Sequence, residues 1–290
     1  WFDAVDPYAY RRRPVPTVTL SQDTSVAQND PPVVIVPTHR PLSDFRAIIQ
    51  DVARTHSRLR DSRIEGLLVH LSRDDRPEHL QAVQDALAST LRFIVIEPGD
   101  DFAPDALRNI PPPADSELRQ AFLFSALESA DSLEERAAPV FDRDGILILD
   151  TNADELENDF GGVLDSWRGR DVILTASSHP DGTHPLGHMR AIAQVCRDRD
   201  WTFPIWIRNT ASAEIKPSAY ASDRLIEASL YSGPLLCDGI GDLVSVETEE
   251  DPVRVTSLTY NILQGAKARI SKTEFVACPS CGRTLFDLQS

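Results

Sequence analysis

Short runs of β-branched and aliphatic residues alternate along this chain with stretches long enough for amphipathic helices. The runs are almost continuously hydrophobic, as at positions 94–96 and 146–149. Strands of that composition are buried on both faces, which is typical of parallel strands covered by helices. The alternation therefore predicts an α/β fold, with parallel β-strands joined by crossover α-helices.

The number of these units points to the architecture. About seven strand–helix units of roughly thirty residues, with no break in composition, favour a closed (β/α) TIM-barrel-like domain over an open doubly wound sheet. Periodicity alone does not separate the two folds. The predicted strands are 33–36, 66–71, 93–97, 145–150, 171–176, 204–208 and 234–246, and the predicted helices are 42–57, 77–90, 115–130, 154–167, 186–199, 220–232 and 251–268.

The charge balance narrows the range of partners. The 290 residues include 29 basic and 45 acidic side chains, for a formal net charge of -16. Such a chain is repelled by polyanions, so no nucleic-acid or membrane partner is expected. The basic run at 11–13 is followed by Pro14 and Pro16. We interpret it as a solvated turn rather than a phosphate site, because no helix start or glycine loop accompanies it.

The cysteines and the termini give the context of the chain. Four cysteines, two of them isolated, argue against a disulfide scaffold and for a reducing compartment. No signal peptide is visible and no apolar run approaches the roughly 20 residues that cross a bilayer, so we expect a soluble segment. Because the chain starts at Trp1 and holds a single methionine, Met189, we expect an internal piece of a longer polypeptide.

The chemically most specific motif is the pair Cys278 and Cys281, which follows a strand-like run. Two residues between the thiols let both sulfurs turn toward one centre, so the spacing suits an iron–sulfur cluster, half of a zinc site or a redox dithiol. Cys196 falls in a predicted helix and Cys237 in a predicted strand. We expect each of these two to be a buried small hydrophobe.

A glycine-interrupted loop at 237–242 follows a predicted strand. Its backbone N–H groups could face a phosphate, as loops at the carboxyl ends of barrel strands do. The carboxylates of Asp238 and Asp242 oppose an anion, so we favour a tight turn that needs positive φ at its glycines.

Three histidines fall close together in one predicted loop. His179, His184 and His188, with Asp181, could form a metal site, but the Pro and Gly content of their loop favours a flexible surface turn.

The acidic clusters are expected to solvate loops and helix starts. They lie at 100–101, 134–135 and 247–251. No hydrolase, P-loop or dinucleotide motif is present.

The last part of the chain resembles a known family. Residues 257–265, SLTYNILQG, and 271–289, SKTEFVACPSCGRTLFDLQ, are similar to 4-hydroxy-3-methylbut-2-enyl diphosphate synthases, and more narrowly to their three-domain, plant-type form. The run at 234–242 is similar to the strand and loop before that motif, and residues 2–12 to the entry of the family's inserted domain.

The resemblance implies an oxidoreductase of non-mevalonate isoprenoid biosynthesis. The family opens 2-C-methyl-D-erythritol 2,4-cyclodiphosphate reductively to 4-hydroxy-3-methylbut-2-enyl diphosphate, with ferredoxin or flavodoxin as electron donor. A catalytic barrel binds the diphosphate, and a C-terminal domain holds a 4Fe-4S cluster on three cysteines and a glutamate. By the matching motif, Cys278 and Cys281 would be two of these ligands. The other two lie outside this chain, which alone is expected to be inactive.

The resemblance also implies a domain organisation. Residues 1–32 are expected to be a connector, 33–270 a barrel-like inserted domain, and 271–290 the start of the 4Fe-4S domain. The insert resembles a degenerate copy of the catalytic barrel, and its expected role is that of a spacer that holds the cluster domain over that barrel. The location implied is cytoplasmic in bacteria or the plastid stroma in plants. The alternative is a barrel that acts as a zinc-binding or structural module without catalysis of its own.

Overall fold

The computed structural model describes residues 12–21, 24–99, 102, 104–114, 118–125, 127, 129–177, 184–211 and 221–273. The strands are β1 (Val18–Ser21), β2 (Thr24–Val26), β3 (Val33–Pro37), β4 (Gly66–Leu71), β5 (Phe93–Pro98), β6 (Arg119–Phe124), β7 (Ile146–Asp150), β8 (Val172–Thr175), β9 (Ile205–Asn209) and β10 (Leu243–Val246). The helices are α1 (Phe45–Arg58), α2 (Pro77–Leu87), α3 (Ala130–Phe141), α4 (Ala153–Asn158), α5 (Gly161–Ser166), α6 (Pro185–Asp198), α7 (Ala221–Cys237) and α8 (Pro252–Gly265), with 3₁₀ turns at Leu42–Asp44 and Pro104–Asn109.

Eight of the strands, β3 to β10, form a closed parallel barrel in chain order. Closure is made by β10, which pairs with β9 on one side and with β3 on the other, where Leu243 lies opposite Val33. A doubly wound sheet would leave two open edges, so this pairing confirms the predicted (β/α) TIM-barrel-like fold. The active-site face of such a barrel is formed by the carboxyl ends of its strands.

The sequence missed one of the eight units. The stretch 115–130 is predicted as a helix, but its centre is strand β6 (Arg119–Phe124), and the helix of that unit is α3, which starts at Ala130. Ser129 caps α3 by accepting a hydrogen bond from the Ser132 N–H at 3.2 Å. Leu, Arg, Gln and Ala favour helices in isolation, but burial between two parallel neighbours outweighs that propensity.

The predicted strand at 234–246 is wrong over most of its length. Helix α7 continues through Pro234 to Cys237, and the strand is limited to β10 (Leu243–Val246). Between them the chain turns, with φ of 73° at Gly239 and 109° at Gly241. The loop therefore lies at the amino end of β10, and the favoured interpretation, a tight turn with positive φ, is confirmed. The phosphate-facing alternative is wrong because the loop lies at the opposite end of the strands.

The hairpin of β1 and β2 closes the amino end of the barrel. Val18, Leu20 and Val26 are fully buried and pack with the inward-facing side chains of the barrel strands. Arg119, at the start of β6, donates to the carbonyl of Thr19 and so ties the hairpin to the barrel wall. Part of the predicted connector thus packs against the barrel. The inward-facing side chains of this cluster are Val33, Ile35, Leu68, Phe93, Val95, Ala121, Leu123, Ile146, Ile148, Ile173, Trp206 and Leu243.

The basic run of the sequence has a structural role that neither interpretation anticipated. Arg12 forms an ion pair with Asp242 at 3.1 Å, and the Arg13 side chain is buried where it donates to the carbonyls of Trp201 and Phe203. Asp242 also accepts from the Ile205 N–H at 2.9 Å. Arg13, which is buried and bonded to carbonyls, and Arg12, which is partly buried and paired with a buried carboxylate, are therefore not available to a phosphate. Arg11 lies outside the described residues. Arg12 and Arg13 anchor the entering chain to the amino ends of β9 and β10.

Among the described residues, no helix combines the length and apolarity that a membrane span requires.

Candidate functional site at the carboxyl ends of the strands

The interior of the barrel changes from apolar to charged at the carboxyl ends of its strands. Among the described residues, five ionisable side chains occupy inward-facing positions there: His70 of β4, Glu97 of β5, Asp150 of β7, Arg208 of β9 and Glu247, which follows β10. We call these five residues the barrel mouth. Each continues the alternation of its strand, and the inward-facing residues before it are hydrophobic or small, apart from Ser245 in β10.

Arg208 lies at the centre of the barrel mouth. Its guanidinium donates to both oxygens of Glu247, with Nε–Oε1 at 2.8 Å and Nη2–Oε2 at 2.9 Å. Nη1 lies 3.4 Å from Asp150 Oδ2 and 3.8 Å from Glu97 Oε1. The Arg208 side chain is only 4% exposed. Burial alone would lower the pKa of Arg208, but the three carboxylates raise it above its ordinary value, so the guanidinium stays charged.

Asp150 is held by the backbone and side chain of Ser177. The Ser177 N–H donates to Asp150 Oδ1 at 2.9 Å, and the Ser177 hydroxyl donates to Oδ2. Burial raises the pKa of the Asp150 carboxyl, while these hydrogen bonds and Arg208 act in the opposite direction. The net shift is upward, because desolvation of the charge dominates.

His70 and Glu97 form the solvent-facing edge of the barrel mouth. His70 Nδ1 lies 2.7 Å from Glu97 Oε2, and the imidazole side chain is 59% exposed. The hydrogen bond to Glu97 raises the pKa of His70. Burial alone would raise the pKa of Glu97, but the His70 hydrogen bond and Arg208 together hold it below its ordinary value. Glu97 is therefore ionised at neutral pH.

A second layer of hydrogen bonds completes the network below Arg208. Ser245 donates to Glu247 Oε1 at 2.8 Å and accepts from the indole N–H of Trp206 at 3.1 Å. The guanidinium carbon of Arg208 lies 5.0 Å from the Trp206 ring centroid, which is cation–π geometry. Each of these groups is thus engaged with another member of the network.

The chemistry of the barrel mouth follows from this balance. A diphosphate is bound by cations whose charge is available, whereas Arg208 is surrounded by three carboxylates. An anion placed here would meet the negative charge of Glu97, Asp150 and Glu247. Among the described residues no group of three or more His, Cys, Asp or Glu side chains is arranged to hold a metal ion. The described part of the mouth is therefore suited to closing the barrel, not to binding an anion.

Several predicted site residues lie elsewhere. Cys278 and Cys281 are outside the described residues, as are His179 and Asp181. His184 instead caps α6, accepting on Nδ1 from the Leu186 N–H at 3.3 Å. His188 is buried one turn later in α6, and burial lowers its pKa.

The two isolated cysteines differ in their exposure to solvent. Cys196 is fully buried in α6, as predicted, and burial raises the pKa of its thiol. The prediction for Cys237 is wrong, because this residue ends α7 with an exposed side chain. The strand assumed there is the last turn of a helix, whose outer face reaches solvent.

Some residues of the predicted acidic clusters are exposed as expected, and others are buried. Glu134 and Glu135 are exposed on α3, and Asp251 caps α8 by accepting from the Val253 N–H at 2.9 Å, both as predicted. The expectation is wrong for Glu247, which binds Arg208 inside the barrel, and for Glu249, which is 7% exposed and paired with Arg224. The pair at 100–101 lies outside the described residues.

No sequence pattern indicated the five residues of the barrel mouth as a site. The available signal was a charged residue in the last inward position of a hydrophobic run, as at Glu97, Asp150 and Arg208. Once a closed parallel barrel is assumed, such positions converge at one end.

The chain is thus a closed (β/α) barrel whose carboxyl-end interior is an ion network, and the comparisons agree with that class. The truncated form of 3-deoxy-D-arabino-heptulosonate 7-phosphate synthase from Thermotoga maritima superposes with a TM-score of 0.57, covering 88% of this chain and 91% of that one. Sequence identity is 11%, so this likeness shows the fold alone. No model of a known protein family matches the chain.

The curated relatives that match this chain are the synthases that residues 257–265 and 271–289 resemble. A stretch of 105 residues is 40% identical to 4-hydroxy-3-methylbut-2-en-1-yl diphosphate synthase (flavodoxin) of Chlorobaculum tepidum, covering 36% of this chain and 13% of the relative. A stretch of 75 residues is 49% identical to 4-hydroxy-3-methylbut-2-en-1-yl diphosphate synthase (ferredoxin), chloroplastic, of Arabidopsis thaliana, covering 25% of this chain and 10% of the relative. The resemblance predicted from the sequence is confirmed. The matched part spans less than a fifth of each of these relatives.

Proposed function

We propose that this chain is part of a 4-hydroxy-3-methylbut-2-enyl diphosphate synthase of non-mevalonate isoprenoid biosynthesis. In this role it serves mainly as a structural spacer and contributes two ligands to a 4Fe-4S cluster. Support comes from the relatives, of both flavodoxin and ferredoxin types, that match parts of the chain at 35% to 49% identity. The substrate, 2-C-methyl-D-erythritol 2,4-cyclodiphosphate, would be bound by a preceding catalytic barrel.

The observation that favours a spacer is the state of Arg208. A catalytic barrel for a cyclic diphosphate needs cations free to bind phosphate oxygens at its carboxyl end. Arg208 occupies such a place, but Glu97, Asp150 and Glu247 neutralise it. The network fits a barrel that keeps the architecture and has lost the substrate site.

The cluster assignment depends on Cys278 and Cys281. Two thiolates at this spacing could both bind one iron–sulfur cluster, and the remaining ligands would come from the polypeptide that follows. When bound, such a cluster supplies single electrons to the reacting carbon–oxygen bond. In this chain, the thiolates of Cys278 and Cys281 would each bind one iron, and the barrel would hold the cluster near the catalytic barrel.

Replacement of Cys278 tests the cluster assignment in the full-length protein. We expect the parent to contain iron and sulfide near four of each per chain, and Cys278→Ser to lose most of both and at least a hundredfold in reductive activity. Cys237→Ser is the matched control, because Cys237 lies at the exposed end of α7, and it should retain cluster and activity. Zinc in place of iron in the parent would support the zinc-binding alternative, whereas an intact cluster in Cys278→Ser would contradict the assignment of Cys278 as a cluster ligand.

Removal of the insert tests the spacer. A full-length protein in which the flanking parts are joined directly, without 33–270, should keep its iron but lose activity as a monomer, because the cluster would no longer reach the substrate. Full activity of that monomer would contradict the spacer role. Iron analysis separates a lost geometry from a lost fold.

A further inference from the structure

The barrel is electrically polarised between its two ends, although its net charge is strongly negative. At the carboxyl ends, segments 150–159 and 247–254 hold nine carboxylates and one basic residue. At the amino ends, segments 58–65 and 266–273 hold six basic residues and two carboxylates. The first of these amino-end segments links α1 to β4, and the second follows α8.

Side-chain contacts join the two amino-end segments into one surface. Tyr260 of α8 donates its hydroxyl to the Arg63 carbonyl at 3.0 Å. Arg269 forms a two-pronged ion pair with Glu65, with N–O distances of 2.8 and 3.0 Å, and also donates to the Pro32 carbonyl at 3.0 Å. The carboxylate of Glu65 is therefore already neutralised by Arg269.

The remaining basic side chains of this surface are exposed. We call the set Arg58, Arg60, Arg63, Lys267 and Lys272 the basic patch; each is exposed to solvent. Ile270 lies among them and is 73% exposed. A positively charged surface of this kind attracts acidic partners through long-range electrostatics.

The basic patch is next to the predicted cluster ligands in the chain. Lys272 precedes Cys278 by six residues, so the chain between them reaches no farther than about 22 Å. A protein that docks on the patch is therefore held close to the thiol pair. Its surface must be acidic, because opposite potentials steer association and like potentials exclude it.

We propose that the basic patch is the docking surface for an acidic electron-carrier protein that reduces the cluster held by Cys278 and Cys281. This inference rests on the proposed function in one respect: it takes the cysteine pair to be part of a redox centre. The acidic carboxyl end of the barrel repels the same carrier, so the polarity of the barrel selects the orientation in which the carrier meets the cluster.

Matched charge reversals in the full-length protein test the patch. Arg60→Glu/Arg63→Glu changes it, and Arg73→Glu/Arg76→Glu makes the same change in net charge at exposed positions of the loop after β4, at the carboxyl end. We expect the KM for reduced flavodoxin to rise about tenfold in the patch variant and less than about twofold in the control. Activity with reduced methyl viologen, a small donor that needs no docking, should be the same in both.

Three outcomes would overturn the proposal. These are an unchanged KM in the patch variant, an equal rise in the control, or an equal loss with methyl viologen, which would show that the patch instead packs against another part of the same polypeptide. Titration with oxidised flavodoxin at low and high salt is the second measurement and requires no turnover. Weaker low-salt binding of the patch variant supports docking even if the parent proves inactive, whereas equal binding by all three proteins contradicts it.

Discussion

Replacing Arg208 by methionine is expected to lower the free energy of unfolding by about 3–5 kcal/mol at pH 7. Methionine fills much of the same space, so the loss comes from charge and not from a cavity. Without the guanidinium, Glu97, Asp150 and Glu247 face one another inside the barrel mouth with no cation among them. Denaturant unfolding followed by circular dichroism measures the change.

The loss should depend on pH in a defined direction. In the parent, the pKa of Glu97 is held below its ordinary value near 4.5, so its contribution to stability is present above that pH and is lost as pH falls through the folded-state pKa. The variant loses the part of this contribution that comes from Arg208 and keeps the part that comes from the His70 hydrogen bond. The carboxyl groups of Glu97 and Asp150 then ionise less readily, because like charges oppose one another. The difference between parent and variant should therefore be greatest at neutral pH and shrink toward pH 4.

Two further variants control this experiment. Arg73→Met removes an exposed arginine and should change stability by no more than about 0.5 kcal/mol. Adding Glu247→Leu to Arg208→Met removes the unpaired carboxylate closest to the missing cation and should restore part of the loss. A loss below about 1 kcal/mol for Arg208→Met would show that the network does not stabilise the barrel.

The parallel barrel could be predicted because its strands are the most hydrophobic runs of the chain. The run at 146–149 lies wholly within β7, and that at 94–96 within β5. Strand β6 was missed because it begins with Arg119 and Gln120, which looked like a continuing helix. Arg119 instead binds Asp171 and the hairpin, partners that are distant in sequence and invisible to a local pattern.

The barrel mouth could not be predicted for the same reason: its residues are distant in sequence. Glu97, Asp150 and Arg208 are separated by more than fifty residues from one another and match no motif. They meet only because a closed barrel brings alternate residues of different strands to one end. The cysteine pair, by contrast, could be proposed as a site from the sequence, because its two thiols are only three positions apart.

A chain that begins at residue 33, the predicted boundary of the barrel domain, is expected not to fold cooperatively. It lacks Val18, Leu20 and Val26, which fill the amino end of the barrel and are at most 1% exposed. Each buried side chain of this size contributes about 1.5–3 kcal/mol. Their combined loss is comparable with the whole stability of a typical domain, about 5–15 kcal/mol.

The same truncation removes a charge anchor. Arg12 and Arg13 lie within 3.1 and 3.8 Å of Asp242, whose side chain is only 4% exposed. Without them a buried carboxylate loses its cations, and this adds to the cost of the exposed barrel interior. A chain that begins at residue 12 keeps the hairpin and both arginines, so it should unfold in one transition with the midpoint of the full 290 residues.

Point variants grade the effect within an intact chain. Leu20→Ala should lower the free energy of unfolding by about 2–5 kcal/mol, because it opens a cavity beneath the barrel strands. Thr19→Ala, at the neighbouring exposed position of β1, should change it by no more than about 0.5 kcal/mol. If chains beginning at 12 and at 33 unfold at the same denaturant concentration, the hairpin is a covering of the barrel and not part of its core.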